Sequence, residues 1–477
     1  MSSKYHHLID GEWLSSPDYT ANLNPADGEE VIGYSAQGDA ATVDAAVSTA
    51  QRAAPMWACT TSQMRADILD KAGQLLLERA SQIGHVLARE EGKTLSEATG
   101  ETVRAGQVFK FFAGEALRVT GQQIASLRAG VEVGVAREPL GVVGVITPWN
   151  FPIAILAWKV APALAYGNTV VLKPAELTPA SAHNLAQILA EAGCPNGVFN
   201  LVFGPGETVG EAIVNHPDIS AISFTGSQGV GQRISAACGR SQKKIQMEMG
   251  GKNPMVILDD ADLDHAVDVS VNGAFFSTGQ RCTASSRLIV HAGVYDAFAE
   301  RMVGAIRVLR VGNPLDEMTQ IRPVCSKQQL ESNLSYVKLA RAEHADVIGG
   351  EALDSRGFFQ KPGLFLNANN SMRTSREEIF GPLASVIKVD SFEEAVCVAN
   401  DTPFGLSSGI CTSSLRRASH FKSQSTAGMV MVNLPTAGVD YHVPFGGRKG
   451  SSFGAREQGR MAVEFYSSVK TTYTFSG

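Results

Sequence analysis

A thiol and a carboxylate are the two groups in this sequence best placed to do covalent chemistry on a small molecule. Cys282 lies in STGQRCTASS, a segment typical of a mobile polar loop, whereas free cysteine usually packs in an apolar core. A thiol in such a loop can be reached by a ligand and acts as a nucleophile once deprotonated. Glu248, in QMEMGGKNP, follows a predicted strand and precedes two glycines that permit close approach of a ligand. Its carboxylate could serve as a general base toward water, although a glutamate at a strand end is more often only solvated.

Polar side chains at two other strand ends could bind an oxyanion and a nucleotide. In TPWNFP, Pro148 and Pro152 stiffen a loop in which the Asn150 amide could donate to a developing oxyanion or merely form a turn. In LKPAE, Lys173 and Glu176 follow a strand at the place where a nucleotide ribose would lie in a doubly wound fold. Taken alone, that pair could equally be an ordinary surface lysine and glutamate.

The segment SFTGSQGVG could bind an anion. Gly226 and Ser227 stand between a predicted strand and a predicted helix, where backbone N–H groups and a hydroxyl could meet a phosphate. Serine is also an ordinary helix N-cap, so this signal is weak by itself. No GxGxxG occurs in the expected strand–helix context, and FGPGETVG has the wrong spacing for a dinucleotide fingerprint.

The elements that must position these residues form an α/β pattern between 141 and 258. VVGVIT, NTVVLKP, GVFNLVFG, ISAISFTGS and KKIQMEMGG are predicted strands, and the segments between them carry helix patterns. One such helix, TPASAHNLAQILAEAG, has Thr178 as its N-cap, Pro179 at its first position and Gly193 at its end. Apolar strands separated by helices predict a doubly wound domain with a parallel sheet, which binds ligands beyond the carboxyl ends of its strands.

Two further regions complete the predicted organisation. PMVILDDADL, SSRLIVH and SVIKVDSFEEAVCVAN indicate a second α/β unit from about 251 to 450. The segments 126–140 and 464–475 alternate in the manner of two-sided strands and could form a small separate sheet. Because an exposed strand pair often mates with another subunit, we predict a homo-oligomer.

Composition excludes several classes of protein. The 477 residues are 44% hydrophobic and 18% charged, with a net charge of −6 and no run of five like charges, so neither a nucleic-acid surface nor a basic membrane patch is indicated. The longest apolar stretch, 141–167, is interrupted by three prolines and a lysine, which argues against a membrane span. Seven cysteines without a CxxC motif predict neither disulfides nor a metal site. The polar start and these free thiols predict a cytoplasmic, reducing location.

Taken together and in order, the motifs resemble those of the NAD(P)-dependent aldehyde dehydrogenase superfamily. The matching pieces are TPWNFP, LKPAELTP, FTGS, EMGGKNP, GQRCT, EEIFGP, PFGL and PFGGRKGSSFG, and they run nearly from end to end. The resemblance implies that Cys282 is the nucleophile, Glu248 the general base and Asn150 the oxyanion donor. It implies a cofactor site whose residues are Trp149, Lys173, Glu176, Gly226, Ser227, Glu378 and Phe380.

The resemblance also implies an architecture and an assembly. The fold would be α/β and aldehyde-dehydrogenase-like, with a doubly wound cofactor domain, an α/β catalytic domain and a small β extension for oligomerisation. The implied boundaries are 1–118 and 140–250 for the NAD-binding domain, 251–450 for the catalytic domain, and 119–139 with 460–477 for the oligomerisation strands. The assembly would be a homodimer or homotetramer.

Two residues indicate the course of the implied reaction. Glu248 favours hydrolysis of the thioester, since family members that pass the acyl group to coenzyme A typically lack a glutamate there. Glu176 favours NAD as the cofactor, because its carboxylate would repel the 2′-phosphate of NADP, although NADP remains possible.

The implied substrate pocket leaves two kinds of small aldehyde open. Arg104 or Arg281 could bind the distal carboxylate of an acidic semialdehyde, and the tail from 433 to 459 is similar to that of members acting on α-ketoglutaric semialdehyde. The aromatic lining suits a medium- or long-chain aliphatic aldehyde equally well, but the arginines and the tail make the acidic semialdehyde the first expectation. Trp158 stands where members acting on succinate semialdehyde carry an arginine, which argues against that substrate. The pocket residues are Arg104, Phe151, Trp158, Phe276, Arg281, Thr283 and Phe445, and Phe112 is a further lining candidate.

Two other classes of protein fit the sequence less well than an aldehyde dehydrogenase does. A thiol hydrolase or transferase would usually pair its cysteine with a histidine, and no histidine here stands in a matching motif. A catalytically silent structural member should have lost Cys282, Glu248 or Asn150, and all three are present.

Overall fold

The computed structural model describes residues 3–475, and within that range it contains two large sheets, two three-stranded sheets and fifteen α-helices. Residues 1, 2, 476 and 477, which belong to the predicted cofactor and oligomerisation segments, lie outside the described residues. The α/β fold class predicted from the sequence is confirmed.

The strands have the following bounds in chain order: β1 Ser3–Tyr5, β2 His7–Ile9, β3 Glu12–Leu14, β4 Tyr19–Asn24, β5 Asp27–Ala36, β6 Gln122–Ala125, β7 Val131–Pro139, β8 Val142–Ile146, β9 Thr169–Lys173, β10 Phe199–Leu201, β11 Ala221–Thr225, β12 Lys244–Glu248, β13 Asn253–Ile257, β14 Ser285–His291, β15 Asp346–Gly349, β16 Gly363–Ala368, β17 Leu383–Val389, β18 Ser407–Cys411, β19 Met429–Val432, β20 Ser452–Phe453 and β21 Ser467–Phe475.

The helices are α1 Ala40–Ala58, α2 Ser62–Glu78, α3 Ala80–Glu91, α4 Leu95–Ala116, α5 Ala154–Ala165, α6 Pro179–Ala192, α7 Glu211–Asn215, α8 Gln228–Arg240, α9 Leu263–Phe275, α10 Tyr295–Val308, α11 Lys327–Ala342, α12 Arg373–Arg376, α13 Phe392–Asn400, α14 Leu415–Gln424 and α15 Val463–Tyr466. A π-helical turn, Gly206–Gly210, precedes α7, and a short 3₁₀ helix, Phe276–Gly279, follows α9. No helix between residues 3 and 475 is long and apolar enough to cross a membrane.

The first large sheet has a parallel core with a change of direction in the middle. Its strand order is β20-β12-β11-β8-β9-β10-β2-β3, and the strands from β12 to β10 are parallel to one another. The pairings of β20 with β12, of β2 with β10 and of β3 with β2 are antiparallel. The chain begins the core at β8, adds β9 and β10 on one side, and then crosses to add β11 and β12 on the other. Ligands bind at such a switch point, beyond the carboxyl ends of the strands.

The second large sheet is joined to the first by a very short link. Its order is β15-β16-β17-β14-β13-β18-β19, and all neighbours except β15 and β16 are parallel. β12 ends at Glu248 and β13 starts at Asn253, so only residues 249–252 separate the two sheets along the chain. The carboxyl edge of the first sheet therefore faces the amino edge of the second.

A small antiparallel sheet stands apart from the two large ones. Its order is β21-β7-β6, and β21 pairs with β7 from Ser467 opposite Pro139 to Phe475 opposite Val131. Every residue of β21 after Ser467 is exposed, including Val469 and Tyr473.

Burial explains most of the local structure around the switch point. All residues of β8, β9 and α5 are buried, as their nearly uninterrupted apolar sequences predict. In α6, Pro179 takes the first position, and Gly193 ends the helix with a left-handed φ of 92°.

The N-cap predicted for α6 is only half right. Thr178 holds the cap position, but its side chain makes no capping hydrogen bond within the described residues. The carboxylate of Glu90, from α3, accepts instead from the N–H groups of Ala180 (2.9 Å) and Ser181 (2.8 Å). A buried carboxylate from a neighbouring helix thus satisfies donors that the sequence assigned to a local hydroxyl.

Candidate active site

A cavity of about 290 Å³ lies where the two large sheets meet. Its walls are the loop after β8, the end of β11 with the start of α8, the end of β12, the segment 378–380 and Cys282. The switch point of the first sheet therefore opens onto the thiol that precedes β14 in the second sheet. The three predicted catalytic residues, Cys282, Glu248 and Asn150, all line this cavity.

Cys282 also lines a second cavity, of about 360 Å³, on its other side. The loop that carries it is packed inside the protein, in contrast to the mobile loop that its polar composition predicts: Ser277, Thr278 and Gln280 are all buried. Trp158 and Phe445 stack with ring centroids 5.4 Å apart and contribute to both cavities beside the sulfur. A molecule in either cavity can thus reach the same thiol.

The surroundings of Cys282 favour the protonated thiol. Burial is the largest cause that raises its pKa, and the carboxylates of Glu378 and Glu248 raise the pKa further. Hydrogen bonds from the backbone N–H groups of Cys282 and Thr283 act in the opposite direction. Because the net effect raises the pKa, a base must remove the proton before this sulfur can attack at neutral pH.

Asn150 is held so that one amide hydrogen is committed and the other is free to serve a ligand. Its side-chain Nδ2 donates to the carbonyl of Gln280 at 3.1 Å, which ties the loop after β8 to the loop that carries Cys282. The residue is only 4% exposed, so a further donor bond from Nδ2 would be formed away from bulk water. An amide donor held in this way can stabilise a negative oxygen on a bound ligand.

Glu248 is a buried carboxylate with one oxygen in use. Oε2 accepts from the Ser452 hydroxyl at 2.7 Å, whereas Oε1 has no hydrogen-bond partner among residues 3–475. Burial raises the pKa of Glu248 well above its ordinary value, and the negative charge of Glu457 raises the pKa further. A carboxyl group with a raised pKa and a free oxygen in a cavity has the properties of a general base.

The negative charge that acts on Glu248 belongs to Glu457, which forms a buried ion pair that the sequence analysis did not predict. Lys159, in the middle of α5, pairs with Glu457 and also donates to the Ser223 hydroxyl at 2.9 Å. The lysine side chain is 0% exposed and that of Glu457 is 1% exposed. A lysine inside an otherwise apolar helix was the available signal, since such a charge needs a partner in the fold.

Five of the seven predicted cofactor residues line the first cavity: Trp149, Gly226, Ser227, Glu378 and Phe380. The other two, Lys173 and Glu176, lie beyond it at the end of β9, where their side chains pair at 3.2 Å. Glu176 also accepts from the Gly206 N–H at 3.0 Å.

The backbone of Phe380 is unusual. This residue has a left-handed φ of 60°, a conformation that costs a non-glycine residue about 1–3 kcal/mol and often marks a functional site. Its ring meets that of Trp149 edge-on at 5.4 Å, at the wall of the first cavity.

The residues around the first cavity fit a dinucleotide. Ser227 stands at the N-terminus of the thirteen-residue α8 without using its side chain as a cap, so hydroxyl and N–H donors are available to a phosphate. Glu378 is buried, and burial raises its pKa to about 7; one oxygen accepts from the Gly251 N–H at 2.8 Å. A Cβ on Gly250 would lie 1.8 Å from the other oxygen, so only glycine allows this carboxylate to approach the backbone.

Six of the seven predicted pocket residues surround the second cavity: Arg104, Phe151, Trp158, Arg281, Thr283 and Phe445. The seventh, Phe276, does not line it and packs instead against the core of the second sheet. Phe112 is also misplaced by sequence reasoning, because it is fully buried in the core beneath α4. Both lie on the face of their segment that points toward a hydrophobic core, and helix phase alone does not distinguish the two faces.

The two arginines at the second cavity differ in their partners. Arg281 pairs with Glu97 at 3.5 Å and donates to the Ser277 hydroxyl at 2.9 Å. Within residues 3–475, Arg104 makes no side-chain hydrogen bond or ion pair, and its pKa is lowered chiefly by burial. Arginine stays charged in proteins, so Arg104 presents an unpaired cation to this cavity.

Comparison with known proteins shows that one protein family matches nearly the whole chain. A sequence model of the aldehyde dehydrogenase family matches residues 13–472. An α-ketoglutaric semialdehyde dehydrogenase of Bacillus subtilis is 43% identical over 476 residues, 98% of each chain. An α-ketoglutarate semialdehyde dehydrogenase of Haloferax volcanii is 41% identical, over 99% of each chain.

Solved structures agree with the sequence matches. A crystal structure of betaine aldehyde dehydrogenase from Staphylococcus aureus in complex with NAD⁺ superposes with a TM-score of 0.97 at 32% identity, and the match covers 99% of this chain and 95% of that one. The resemblance inferred from the eight motifs is confirmed.

The buried pair behind Glu248 leads to a prediction about stability. Lys159→Met should lower the free energy of unfolding by about 3–5 kcal/mol, because it leaves Glu457 charged and unpaired in the interior. The double variant Lys159→Met/Glu457→Leu should recover most of that loss, since no buried charge remains. Urea denaturation followed by tryptophan fluorescence measures both. Equal stability of the single and double variants would contradict this account of the pair.

Proposed function

The chain belongs to the aldehyde dehydrogenase family, and we propose that its substrate is an acidic semialdehyde of the α-ketoglutaric semialdehyde type. Its activity is NAD(P)-dependent oxidation of an aldehyde to a carboxylic acid. The observation that carries the proposal is the position of Cys282 between a cavity suited to a dinucleotide and a cavity with an unpaired arginine. Membership of this family argues against a thiol hydrolase, and the presence of Cys282, Glu248 and Asn150 in one cavity argues against a catalytically silent member.

We propose that Cys282 attacks the aldehyde carbon from the border of the two cavities. Its thiol proton would pass to the free oxygen of Glu248, which lines the same cavity as the sulfur. The resulting oxyanion would accept from the Asn150 amide and the Cys282 backbone N–H, and one such donor contributes about 3–4 kcal/mol in comparable sites. NAD(P), when bound, supplies the oxidant that turns this adduct into a thioester.

Hydrolysis would then depend on Glu248 a second time. After Glu248 has released the first proton to solvent, its carboxylate would take a proton from a water molecule that attacks the thioester carbonyl. The C–S bond would then break, the carboxylic acid would be released, and the sulfur of Cys282 would take up a proton to become a thiol again. The raised pKa of Glu248 makes its carboxylate a stronger base than an exposed one.

NAD is the proposed cofactor in preference to NADP. Glu176 is fixed by Lys173 and by the Gly206 N–H at the end of β9, where the adenosine ribose would lie. A 2′-phosphate there would put like charges close together, whereas the two hydroxyls of a ribose could donate to the carboxylate. The other proposed cofactor contacts are Trp149, Gly226, Ser227, Glu378 and Phe380.

Arg104 supports an acidic substrate. Its guanidinium faces the second cavity without a partner among the described residues, and a carboxylate would complement it. Arg281 is less suited to this role because Glu97 already neutralises it. A medium- or long-chain aliphatic aldehyde is the second candidate, since Phe151, Trp158 and Phe445 make much of the wall apolar.

We also propose a homodimer or homotetramer built through the small sheet. The side chains of Val469, Tyr473 and Phe475 on β21 are 61%, 62% and 68% exposed, which is unusual for apolar residues on a strand unless another surface covers them. Residues 1–118 and 140–250 would bind the cofactor, 251–450 would carry the nucleophile, and 119–139 with 460–477 would join subunits. The seven free cysteines support a reducing, cytoplasmic location.

The roles of Cys282 and Glu248 can be separated by transient kinetics. Cys282→Ala should abolish NADH formation with every aldehyde. Glu248→Gln should slow the first turnover, because the buried thiol loses its base, and should slow later turnovers by about a further 100-fold, because water is no longer activated either. Stopped-flow absorbance at the NADH band measures both phases. Normal steady-state turnover by Glu248→Gln would contradict the proposed role in hydrolysis.

The role of Arg104 can be tested by comparing two substrates on one variant. Arg104→Met should lower kcat/KM for α-ketoglutaric semialdehyde by about 10- to 100-fold, because a charge-assisted hydrogen bond worth about 1.5–3 kcal/mol is lost. Hexanal, which has no carboxylate, is the control and should change by less than about threefold. Equal losses for both substrates would remove the reason to assign Arg104 to a carboxylate. Wild-type preference for hexanal would favour the aliphatic alternative.

The fit of the first cavity to a dinucleotide leads to a binding test. Gly250→Ala should weaken NAD⁺ binding by about tenfold or more, because the new methyl group displaces the Glu378 carboxylate. Gly239→Ala is the matched control, since a Cβ at that helical position meets nothing within 4 Å. Isothermal titration with NAD⁺ gives both dissociation constants. Unchanged affinity in Gly250→Ala would mean that Glu378 does not hold the cofactor.

A further inference from the structure

We propose that Glu97 is a positioning residue for the nucleophile, and that the same face of α4 also holds the oxyanion-donor loop. This inference rests on the proposed roles of Cys282 and Asn150. It concerns Lys93, Glu97 and Glu101, none of which lines either cavity. Their spacing of four residues places Glu97 and Glu101 one above the other on the helix, with Lys93 just before its N-terminus.

Glu97 binds the turn that leads to the nucleophile. Its Oε1 accepts from the backbone N–H of Ser277 at 2.9 Å and from the Ser277 hydroxyl at 2.8 Å. The same oxygen lies 3.5 Å from the guanidinium of Arg281, the residue immediately before Cys282. One carboxylate oxygen thus contacts the chain on both sides of the turn that precedes the sulfur.

This turn has an uncommon backbone that needs such support. Ser277 and Thr278 have left-handed φ angles of 52° and 55°, and Gly279 follows at 64°. Each non-glycine residue in this region costs about 1–2 kcal/mol, so consecutive ones persist only where the surroundings hold them. Glu97 holds the first residue, and the Thr278 hydroxyl donates to the carbonyl of Arg322 at 2.8 Å.

Lys93 and Glu101 support the loop that carries Asn150 in the same way. Lys93 donates to the backbone carbonyl of Asn150 and to Glu101, and its ammonium lies 3.8 Å from the centre of the Phe151 ring. The second oxygen of Glu101 accepts from the N–H groups of Ile153 and Ala154, both at 3.0 Å. This carboxylate therefore satisfies N–H groups at the start of α5 that have no partner within their own helix.

One helix therefore sets the distance between two groups that come from different sheets. The Asn150 loop follows β8 of the first sheet, and the Cys282 loop precedes β14 of the second. Asn150 links the two loops by donating to the carbonyl of Gln280, while Glu97 binds one loop and Lys93 binds the other. A shift of one loop by about 1 Å can cost about 100-fold in rate without removing any reacting group.

Two conservative variants separate the effect of the length of the Glu97 side chain from the effect of its charge. Glu97→Asp keeps the negative charge and a good first-turn residue for α4, but shortens the side chain by one methylene, so it no longer reaches Ser277. Glu97→Gln keeps the length and an acceptor oxygen but removes the charge. Positioning through Ser277 predicts that Glu97→Asp lowers the single-turnover rate of NADH formation, with enzyme in excess, by about 10- to 100-fold. Glu97→Gln should retain that rate within about threefold, and the dissociation constant for NAD⁺ should stay unchanged in both.

A second measurement needs no cofactor or substrate. Alkylation of Cys282 by iodoacetamide, followed by mass spectrometry of its peptide, should slow in Glu97→Asp and not in Glu97→Gln. Glu300→Asp, the same change at an exposed position of α10, is the control and should alter neither rate.

Ser277→Ala keeps the test decisive if a Glu97 variant does not fold. It removes the hydroxyl that Glu97 and Arg281 share, and should lower the single-turnover rate by several-fold while the melting temperature stays within the range of the control. The Glu97→Asp/Ser277→Ala double variant should be no slower than Glu97→Asp alone, because both changes break the same contact.

The outcomes distinguish this inference from the proposed function. Equal rates in Glu97→Asp and wild type, equal losses in both Glu97 variants, or a loss only in Glu97→Gln would each overturn positioning by Glu97. Absence of NADH formation by the wild-type protein with any aldehyde would instead overturn the proposed function.

Discussion

The site depends on a link of four residues between two parallel sheets. Because β12 ends at Glu248 and β13 begins at Asn253, the carboxyl edge of one sheet must face the amino edge of the other. Asn253 then donates to the carbonyls of Cys282 (2.8 Å) and Ala284 (2.9 Å), so the second sheet holds the thiol against the first. Gly250 lies inside this link and leaves space for Glu378. The order of strands and the shortness of one connection thus bring Glu248, Cys282 and the cavity that both line together.

Burial of charge is the second constraint, and it gives the site its chemistry. Glu248, Glu378 and Cys282 lose water where the sheets meet, and this loss raises the pKa of each group. Charges that stay ionised in such a place need partners, which the pairs of Lys159 with Glu457 and of Lys93 with Glu101 supply. Glu248, by contrast, has no cation within hydrogen-bond distance among the described residues, and its Oε1 has no hydrogen-bond partner there.

The two arginines beside the thiol illustrate how context assigns a role to a residue type. Both lie at the second cavity, and both could attract a carboxylate. Arg281 is joined to Glu97 and to the Ser277 hydroxyl, so it belongs to the support of the nucleophile loop. Arg104, from a helix on the opposite wall, keeps its donors for a ligand. The difference arises because Glu97, about two turns before Arg104 on α4, reaches Arg281, whereas no carboxylate of the described residues pairs with Arg104.

The sequence by itself determined the α/β alternation, the strand ends at Glu248 and before Asn150, and the family, because apolar periodicity and short polar motifs are local properties of the chain. It did not predict that Phe276 and Phe112 turn into the cores or that Glu90 caps α6 in place of the Thr178 hydroxyl. It also did not distinguish Arg104 from Arg281, and it left Lys159 without a partner. The tertiary structure alone decided these outcomes, because each depends on which residues from distant segments meet in the interior. An unpaired charge or hydrogen-bond donor there costs about several kcal/mol, so it must have a partner.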